Sequence, residues 1–303
     1  MHLDNSKTFT HGTAPKIGVL ITNVGSPAAP TKQALRPYLA QFLGDRRVIE
    51  LPGWLWKPVL HGILLNTRPK RSARLYPNDW TEEGSPLLAT LRKQAAGLQA
   101  LLASRTQTDI PVAAAVRYGD PSIADALQRM ATSGVQRMLV FPLFPQYSAT
   151  TTATSFDAVF NELTSWRWLP ELRTTLHYLF PPAYISALAN SICQHWQVHG
   201  RADKLLFSFH GIPRSYFLKG DPYYCECQKT GRLLAAELGL EQEHYAISFQ
   251  SRLGPIEWLR PYTDETVQAW ARAGVRTVQA LCPGFSADCL ETVDEVAREA
   301  RES

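Results

Sequence analysis

The chain has 303 residues, of which 45% are hydrophobic and 19% are charged, a composition typical of a globular protein with one or two domains. Its 31 basic and 27 acidic residues give a formal net charge of +4 without any basic block, which argues against nucleic acid as a partner. No apolar run is long enough for a transmembrane helix, and five cysteines outside any secretory context indicate reduced thiols in the cytoplasm.

Residues 1–15 are polar, lack the apolar core of a signal peptide, and are expected to form a disordered lead. The first half of the chain then alternates short apolar runs, which end at Gly or Pro, with longer amphipathic segments. Strands are predicted at residues 16–23, 112–116 and 137–144, and helices at 31–43, 87–103, 121–130 and 150–163.

The second half repeats the alternation. Strands are predicted at residues 174–179, 204–209, 244–249 and 277–282, and helices at 184–196, 225–238, 264–273 and 288–301. This order predicts an α/β fold of two similar Rossmann-like or flavodoxin-like halves, each a parallel sheet covered by helices, with the active-site cleft between them. We expect an N-terminal half at 16–170 and a C-terminal half at 171–303, because Trp166, Trp168 and Pro170 interrupt the periodic pattern.

One strand of the second half ends abruptly, in the sequence SFHGIP at residues 208–213. An aromatic run stopped by Gly and Pro predicts a buried strand that ends there, so His210 is expected at the carboxyl end of that strand. Ligands and catalytic groups collect at this edge of open parallel sheets. Histidine suits proton transfer or metal ligation near neutral pH, and the alternative is a core histidine bonded to the main chain.

A second turn at the same predicted edge has the sequence PGFSADCLET and spans residues 283–292. Asp288 is fully explained as an acidic residue in the first turn of the following helix. Glu291 is less easily explained in this way, because it lies between Leu290 and Val293, where the helix begins to be buried. An imidazole that faces this carboxylate can take protons from a weakly acidic N–H or bind a divalent transition metal loosely.

The segment 51–65 is rich in Trp and Pro, and Trp54 and Trp56 lie among apolar residues. Two interpretations stay open: a lip that holds an aromatic ligand or rests on a membrane surface, and ordinary helix-and-loop packing. Aromatic residues also cluster in the predicted turns, at Phe144, Tyr147, Phe209, Trp258 and Phe285, which is consistent with a flat aromatic ligand.

Several longer motifs occur in order along the chain. They are FPQYS at residues 144–148, SFHGIP at 208–213, GDPY at 220–223, FQSRLGP at 249–255 and PGFSADCLET at 283–292. With these motifs the chain closely resembles the bacterial ferrochelatases, over about residues 16–299. Enzymes of this family insert ferrous iron into a porphyrin at the end of haem synthesis.

The resemblance implies roles for individual residues. His210 matches the catalytic and iron-binding histidine of the family, Glu291 matches its partner carboxylate, and Asp288 lies on the acidic path beside them. The residues that match porphyrin-binding positions, with the two arginines near the propionates, are Val24, Ser26, Arg46, Arg47, Tyr76, Tyr147, Trp258 and Phe285.

The activity that the resemblance implies is insertion of Fe²⁺ into protoporphyrin IX, with ferrous iron as a substrate rather than a resident cofactor. The alternatives are a chelatase for another tetrapyrrole, such as coproporphyrin III, or for another metal, and a non-catalytic porphyrin or metal carrier. A periplasmic-type binding protein is disfavoured because residues 1–15 lack a signal peptide. The expected location is the cytoplasm, with peripheral contact at the inner face of the membrane.

Three departures from the family pattern stand out. The family normally continues past the last helix predicted here, so the second half is expected to be short at its C-terminus. Cys289 stands where some members carry a second histidine near the metal. Some members bind a two-iron, two-sulfur cluster on four cysteines, but free thiols are the favoured prediction for Cys225 and Cys227.

Overall fold

The computed structural model describes residues 12, 14–73, 80–293 and 296. The chain divides into two compact units, and the division does not follow the sequence strictly. The first unit contains Met1–Leu143 and Ala149–Leu176, and the second contains Phe144–Ser148 and His177–Ser303. None of the described helices is both long enough and apolar enough to cross a bilayer.

The first unit is built on a four-stranded parallel sheet with the order β2-β1-β3-β4. Its strands are β1 Lys16–Gly25, β2 Val112–Tyr118, β3 Val135–Pro142 and β4 Glu171–Thr174. The helices are α1 Lys32–Gly44, α2 Gly53–Val59, α3 Leu65–Ser72, α4 Pro86–Thr106, α5 Ile123–Thr132 and α6 Thr154–Leu163. Two π-helical turns, Leu60–Leu64 and Ala149–Ala153, lead into α3 and α6.

Helix starts in the first unit follow local capping chemistry. The side chains of Thr31, Ser85 and Ser122 accept hydrogen bonds from backbone N–H groups three residues on, at the starts of α1, α4 and α5. The apolar face of α5 then packs with β1 and β3 in one core cluster, in which Leu20, Leu127 and Val140 are fully buried.

The second unit is built on a three-stranded parallel sheet with the order β6-β5-β7. Its strands are β5 Lys204–His210, β6 Tyr245–Gln250 and β7 Val278–Leu281. The helices are α7 Pro182–His199, α8 Arg214–Leu218, α9 Tyr223–Glu237 and α10 Thr263–Arg272, with a 3-10 turn at Gln242–His244. The predicted last helix falls partly outside the described residues, and residues 290–293 are helical.

The two parallel sheets flanked by helices confirm the predicted fold class. One predicted strand is wrong: residues 175–179 do not form a strand, and the strand here is β4, Glu171–Thr174, which pairs with β3 in the first sheet. The ladder ends where Thr174 pairs with Val140, and the Tyr178 N–H donates instead to Pro145 O in the second unit. The units therefore divide after Leu176, later than the predicted boundary at residue 170. The sequence also did not predict that residues 144–148 belong to the second unit.

Two further differences are local. The helix predicted from Pro121 begins at Ile123, because Ser122 supplies the cap. The short helix α8, directly after the His210 turn, was not predicted. The predicted N-terminal lead lies almost entirely outside the described residues, as does Tyr76.

Candidate active site

His210 is the last residue of β5, the central strand of the second sheet, as the sequence predicted. Residues 205–209 of this strand are all buried, because the strand is covered on both faces. In the pairing with β6, His210 lies opposite Gln250, the last residue of that strand. As the last residue of its strand, His210 lies at the carboxyl edge of the sheet. It is half-buried there, so part of the residue is accessible to solvent.

The His210 ring has a defined tautomer in its neutral form. Its Nδ1 lies 2.6 Å from the carbonyl oxygen of Gly211, an atom that can only accept, so Nδ1 carries the proton and donates it. The second nitrogen, Nε2, then carries the lone pair of the neutral ring. This hydrogen bond leaves His210 with one basic nitrogen, which is what a proton acceptor needs.

The turn after β7 lies beside His210. The ring centroids of Phe285 and His210 are 6.4 Å apart. Farther along this turn, Glu291 is half-buried, and its carbonyl oxygen accepts a hydrogen bond from Gln250 Nε2 at 2.9 Å. Gln250 is therefore bonded to Glu291 and paired with His210, so the structure brings both predicted catalytic residues to the same edge of one sheet.

Asp288 and Cys289 precede Glu291 in this turn. Asp288 is exposed, and its Oδ1 accepts from the Thr292 hydroxyl at 3.0 Å, as expected for an acidic residue at a helix start. Burial, followed by the nearby Glu291 carboxylate, which accepts from the thiol, raises the pKa of Cys289 well above its usual range. Cys289 is therefore a neutral thiol at physiological pH.

Trp258 packs against the turn that follows His210. Its ring lies 3.3 Å from the place where a Cβ atom on Gly211 would stand, and its indole N–H donates to Leu253 O at 2.9 Å. Trp258 also forms an isolated backbone bridge with Pro213. These contacts fix the Trp258 ring against the turn at residues 211–213.

Tyr147 belongs to the segment 144–148, which is part of the second unit. The chain then returns to the first unit at residues 149–176. The backbone N–H of Tyr147 donates to Glu226 Oε2 at 2.7 Å, and the other oxygen of this buried carboxylate lies 2.7 Å from His177 Nδ1. The Ser148 hydroxyl donates to Asp221 at 2.9 Å. Side chains from 73 to 79 residues away thus hold this segment in place.

In the first unit, Val24 lies near the end of β1 and Ser26 directly follows the strand. Val24 packs against the apolar cluster that includes Tyr38 and Tyr118. Ser26 is buried, and its hydroxyl has no hydrogen-bond partner among the residues that the structure describes. A buried hydroxyl without a partner costs free energy, so its persistence fits a group that is reserved for a ligand.

Arg46 and Arg47, both predicted near the propionates, have different surroundings. Arg47 makes a two-pronged ion pair with Asp157, in which Nη2 and Oδ1 are 2.9 Å apart. Arg46 is exposed and makes no ion pair with any part of the chain that the structure describes. Arg46 is therefore the better candidate for a carboxylate ligand, whereas Arg47 is already engaged.

The conformation of this arginine segment depends on Asp45, which sequence reasoning did not single out. Asp45 Oδ2 accepts hydrogen bonds from Arg117 at 2.6 Å, from Tyr118 at 2.9 Å and from Thr154, while Oδ1 accepts from the Arg47 N–H at 2.8 Å. Burial raises the pKa of Asp45, but the hydrogen bonds from Thr154, Arg47 and Tyr118 and the Arg117 charge outweigh it, so the net pKa is lowered.

The cysteines do not form a shared ligand set. Cys225 and Cys227 are two positions apart on α9, which directs them to different faces, and Cys225 is exposed whereas Cys227 is buried. Across residues 14–73 and 80–293, no group of three or more His, Cys, Asp or Glu side chains is positioned to hold a metal ion.

Comparison with known proteins gives consistent matches over the whole described chain. The ferrochelatase family model matches residues 16–303. A ferrochelatase of Idiomarina loihiensis is 53% identical over 302 residues, which is 100% of this chain and 83% of that protein. A ferrochelatase of Marinobacter nauticus is 51% identical over 294 residues, covering 97% of this chain and 80% of that protein.

Among solved structures, SirB from Bacillus subtilis, determined with Fe³⁺, superimposes with a TM-score of 0.51. The match covers 95% of this chain and 84% of that chain at 10% sequence identity. At this identity, the likeness concerns the α/β fold alone, and residue roles must come from the site itself.

Proposed function

The chain belongs to the ferrochelatase family, and we propose that His210 and Glu291 are the residues with which it carries out the family reaction. The protein is a metal chelatase, a lyase that inserts Fe²⁺ into a porphyrin and so forms haem. One observation carries the proposed roles: His210 presents a free Nε2 at the sheet edge where Gln250 also holds Glu291.

The reaction requires a base. A free porphyrin carries two protons on its inner nitrogens, and Fe²⁺ replaces them, so each turnover releases two protons and no electrons move. We assign His210 Nε2 as the first acceptor of these protons, because its Nδ1–H is donated to Gly211 and the ring is thereby held in one orientation.

We propose that the Glu291 carboxylate attracts the metal ion at the same sheet edge as this base. The neighbouring Cys289 thiol stays protonated, because burial and the Glu291 carboxylate raise its pKa well above the usual range. A single carboxylate and a single imidazole are enough to attract a divalent iron ion but too few to retain it. This suits iron that is a substrate and must leave as part of the product.

We propose that the porphyrin contacts aromatic side chains of the second unit, where Trp258, Phe285 and Tyr147 supply flat apolar surface. In the first unit, the unpaired hydroxyl of Ser26 supports a ligand contact beside Val24. Arg46 is proposed to pair with a propionate, while Arg47 supports the segment through Asp157. Porphyrin distortion by these contacts turns nitrogen lone pairs toward the metal, with strain supplied by binding at the periphery.

Metal insertion by the purified full chain tests the proposed function. Under anaerobic conditions, Fe²⁺ or Zn²⁺ insertion into protoporphyrin IX and coproporphyrin III is followed by absorbance. We expect turnover with protoporphyrin IX at a kcat/KM at least about tenfold above that for coproporphyrin III. Faster turnover with coproporphyrin III would overturn the substrate assignment, and porphyrin binding without any turnover would support a carrier.

We further propose that residues 51–73 contact an anionic membrane surface. The segment exposes Leu51, Trp54, Leu55, Val59 and Ile63. It also contains four basic residues, Lys57, Arg68, Lys70 and Arg71, and no acidic residue. Exposed apolar side chains combined with positive charge are the features of an interfacial helix that binds anionic lipid.

The two tryptophans of this segment differ, which provides a test. Trp54 is 76% exposed, whereas the Trp56 indole N–H donates to Leu43 O at 2.6 Å and the ring is half-buried. We expect Trp54→Ser to weaken binding to phosphatidylglycerol vesicles by about tenfold, because an inserted indole loses its apolar burial. The measurement is vesicle co-sedimentation at low and high salt.

Val198→Ser is the matched control, because Val198 is also 76% exposed but lies on α7, outside this segment. It should leave vesicle binding unchanged. Equal binding by Trp54→Ser and the unmodified chain would refute the membrane contact, as would equal binding to neutral phosphatidylcholine vesicles.

A further inference from the structure

Gln250 lies beside both residues to which we assign the reaction, His210 and Glu291. It is the last residue of β6, lies opposite His210 on β5, and has a side chain that is only 6% exposed. A buried amide must satisfy both its carbonyl and its NH₂ group, so its hydrogen bonds determine its orientation.

The side chain of Gln250 joins the strand of His210 to the turn of Glu291. Its Oε1 accepts from the Ser208 hydroxyl at 2.6 Å, and its Nε2 donates to the carbonyl oxygen of Glu291 at 2.9 Å. The reverse orientation of the amide would place Oε1 against the Glu291 carbonyl, and two acceptors repel each other. The amide therefore has one orientation, and it bonds the first helical turn at residues 290–293 to the sheet.

A chain of hydrogen-bonded, buried hydroxyl groups supports this orientation of the Gln250 amide. Ser208 Oγ lies 2.8 Å from Thr263 Oγ1, which in turn lies 2.8 Å from Ser248 Oγ. Ser208 has a single hydroxyl proton and donates it to Gln250, so Thr263 donates to Ser208 and Ser248 donates to Thr263. All of these side chains are buried, and each donor has an acceptor, which makes the network rigid.

The main chain of Gln250 holds the other catalytic residue. Its carbonyl oxygen accepts from the Gly211 N–H at 2.8 Å, and the Gly211 carbonyl is the acceptor for His210 Nδ1. A Cβ atom on Gly211 would lie 2.9 Å from the Gln250 carbonyl oxygen, so only glycine allows this approach. Gln250 thus bonds to the Glu291 backbone through its side chain and to the His210 turn through its main chain.

We propose that Gln250 is a positioning residue that sets the His210 imidazole and the Glu291 carboxylate relative to each other. The proposal rests on the proposed function, because it assigns a role within the same site. Gln250 itself need not touch the porphyrin or the metal. A displacement of about 1 Å in such a pair is enough to lower a rate by about 10²-fold, which explains why a rigid link matters.

Gln250→Met tests the proposal, since methionine has a similar length but neither donates nor accepts strongly. We expect kcat for metal insertion to fall at least about tenfold, while KM for porphyrin changes less than about threefold. Ser248→Ala is the matched control: it removes a hydroxyl of the same buried network, but three hydrogen bonds separate Ser248 from Gln250. Its kcat should stay within about twofold of the unmodified chain.

A second variant tests the hydrogen bond to Glu291 by a different change. Gln250→Glu keeps an acceptor for Ser208 but places a carboxylate oxygen against the Glu291 carbonyl, so we expect it to lose kcat as well and to unfold at a lower temperature than the unmodified protein. Undiminished kcat in both Gln250 variants, or a loss in Gln250→Met no greater than in Ser248→Ala, would overturn the proposal.

A readout without catalysis keeps this test independent of the proposed function. The ¹⁵N resonances of the His210 ring, assigned by their loss in His210→Ala, report which nitrogen carries the proton. We expect them to shift in Gln250→Met and not in Ser248→Ala, whether or not the protein turns over porphyrin. Unshifted resonances in Gln250→Met would refute the positioning role, whereas absent turnover in the unmodified chain would refute only the proposed function.

Discussion

His210→Ala is expected to reduce metal insertion at least about 10³-fold, because it removes the base that accepts protons from the porphyrin. The variant should still bind porphyrin, since the aromatic side chains that surround the site, Trp258 and Phe285, remain. The loss should therefore fall on kcat, with a porphyrin dissociation constant within about threefold of the unmodified value.

The measurement combines anaerobic Zn²⁺ or Fe²⁺ insertion with porphyrin binding by fluorescence. His244→Ala is the control, because His244 is exposed and lies just before β6, at the opposite edge of the same sheet. It should turn over normally. A His210→Ala variant that retains a tenth or more of the activity would show that another group accepts the protons.

Asp45→Asn is expected to destabilise the protein by about 3 kcal/mol at neutral pH, because it leaves the Arg117 guanidinium without its carboxylate. The Asp45 side chain is 8% exposed and that of Arg117 is 23% exposed, so water does little to replace the lost partner. The variant should also loosen the segment of Arg46 and Arg47, since the Arg47 N–H bonds to the same carboxylate.

The effect should depend on pH in a predictable direction. The folded-state pKa of Asp45 lies below the ordinary value of 3.8, so the folded state favours the ionised carboxylate. Its contribution to the free energy of unfolding is fully present above pH 3.8 and is lost as the pH falls through the folded pKa. The difference in the free energy of unfolding between the unmodified chain and Asp45→Asn should therefore be constant from pH 7 to about 5 and should become smaller below about pH 4.

Urea denaturation followed by circular dichroism over this pH range measures the difference. Asp157→Asn serves as the control, because it breaks the more exposed pair with Arg47, where the side chains are 41% and 37% exposed. Such a pair contributes less than about 1 kcal/mol. The role of Asp45 would be contradicted if Asp45→Asn lowered the free energy of unfolding no more than Asp157→Asn does. It would also be contradicted if the loss in Asp45→Asn became larger at acid pH.

Much of the site could be predicted from local sequence. The run before His210 is apolar and stops at Gly and Pro, so both the strand and the histidine at its end follow from nearest neighbours. The role of Asp288 at a helix start is also a local feature, because its carboxylate accepts a hydrogen bond from Thr292, only four residues away. The two strand-end turns suggested that His210 and Glu291 lie at one edge, and the family resemblance assigned them to one reaction.

The partners of several charged residues could not be predicted. Arg47 was expected at a propionate but pairs with Asp157, 110 residues away. The segment 144–148 begins two residues after the end of β3 yet belongs to the second unit, where Glu226 and Asp221 hold it. The hydrophobic periodicity of the sequence does not predict these long-range contacts. They depend on which ends of strands and helices become neighbours once the sheet has formed.

The sequence by itself therefore determined the parallel α/β architecture, the strand that ends at His210 and the family. These follow from hydrophobic periodicity, from glycine and proline at chain turns, and from ordered motifs, all of which act over short distances along the chain. Only the tertiary structure decided the tautomer of His210, the division of the two units and the place of Gln250. These depend on hydrogen bonds between residues that become neighbours only when the strands and helices pack, with Gln250 and Glu291 separated by 41 positions.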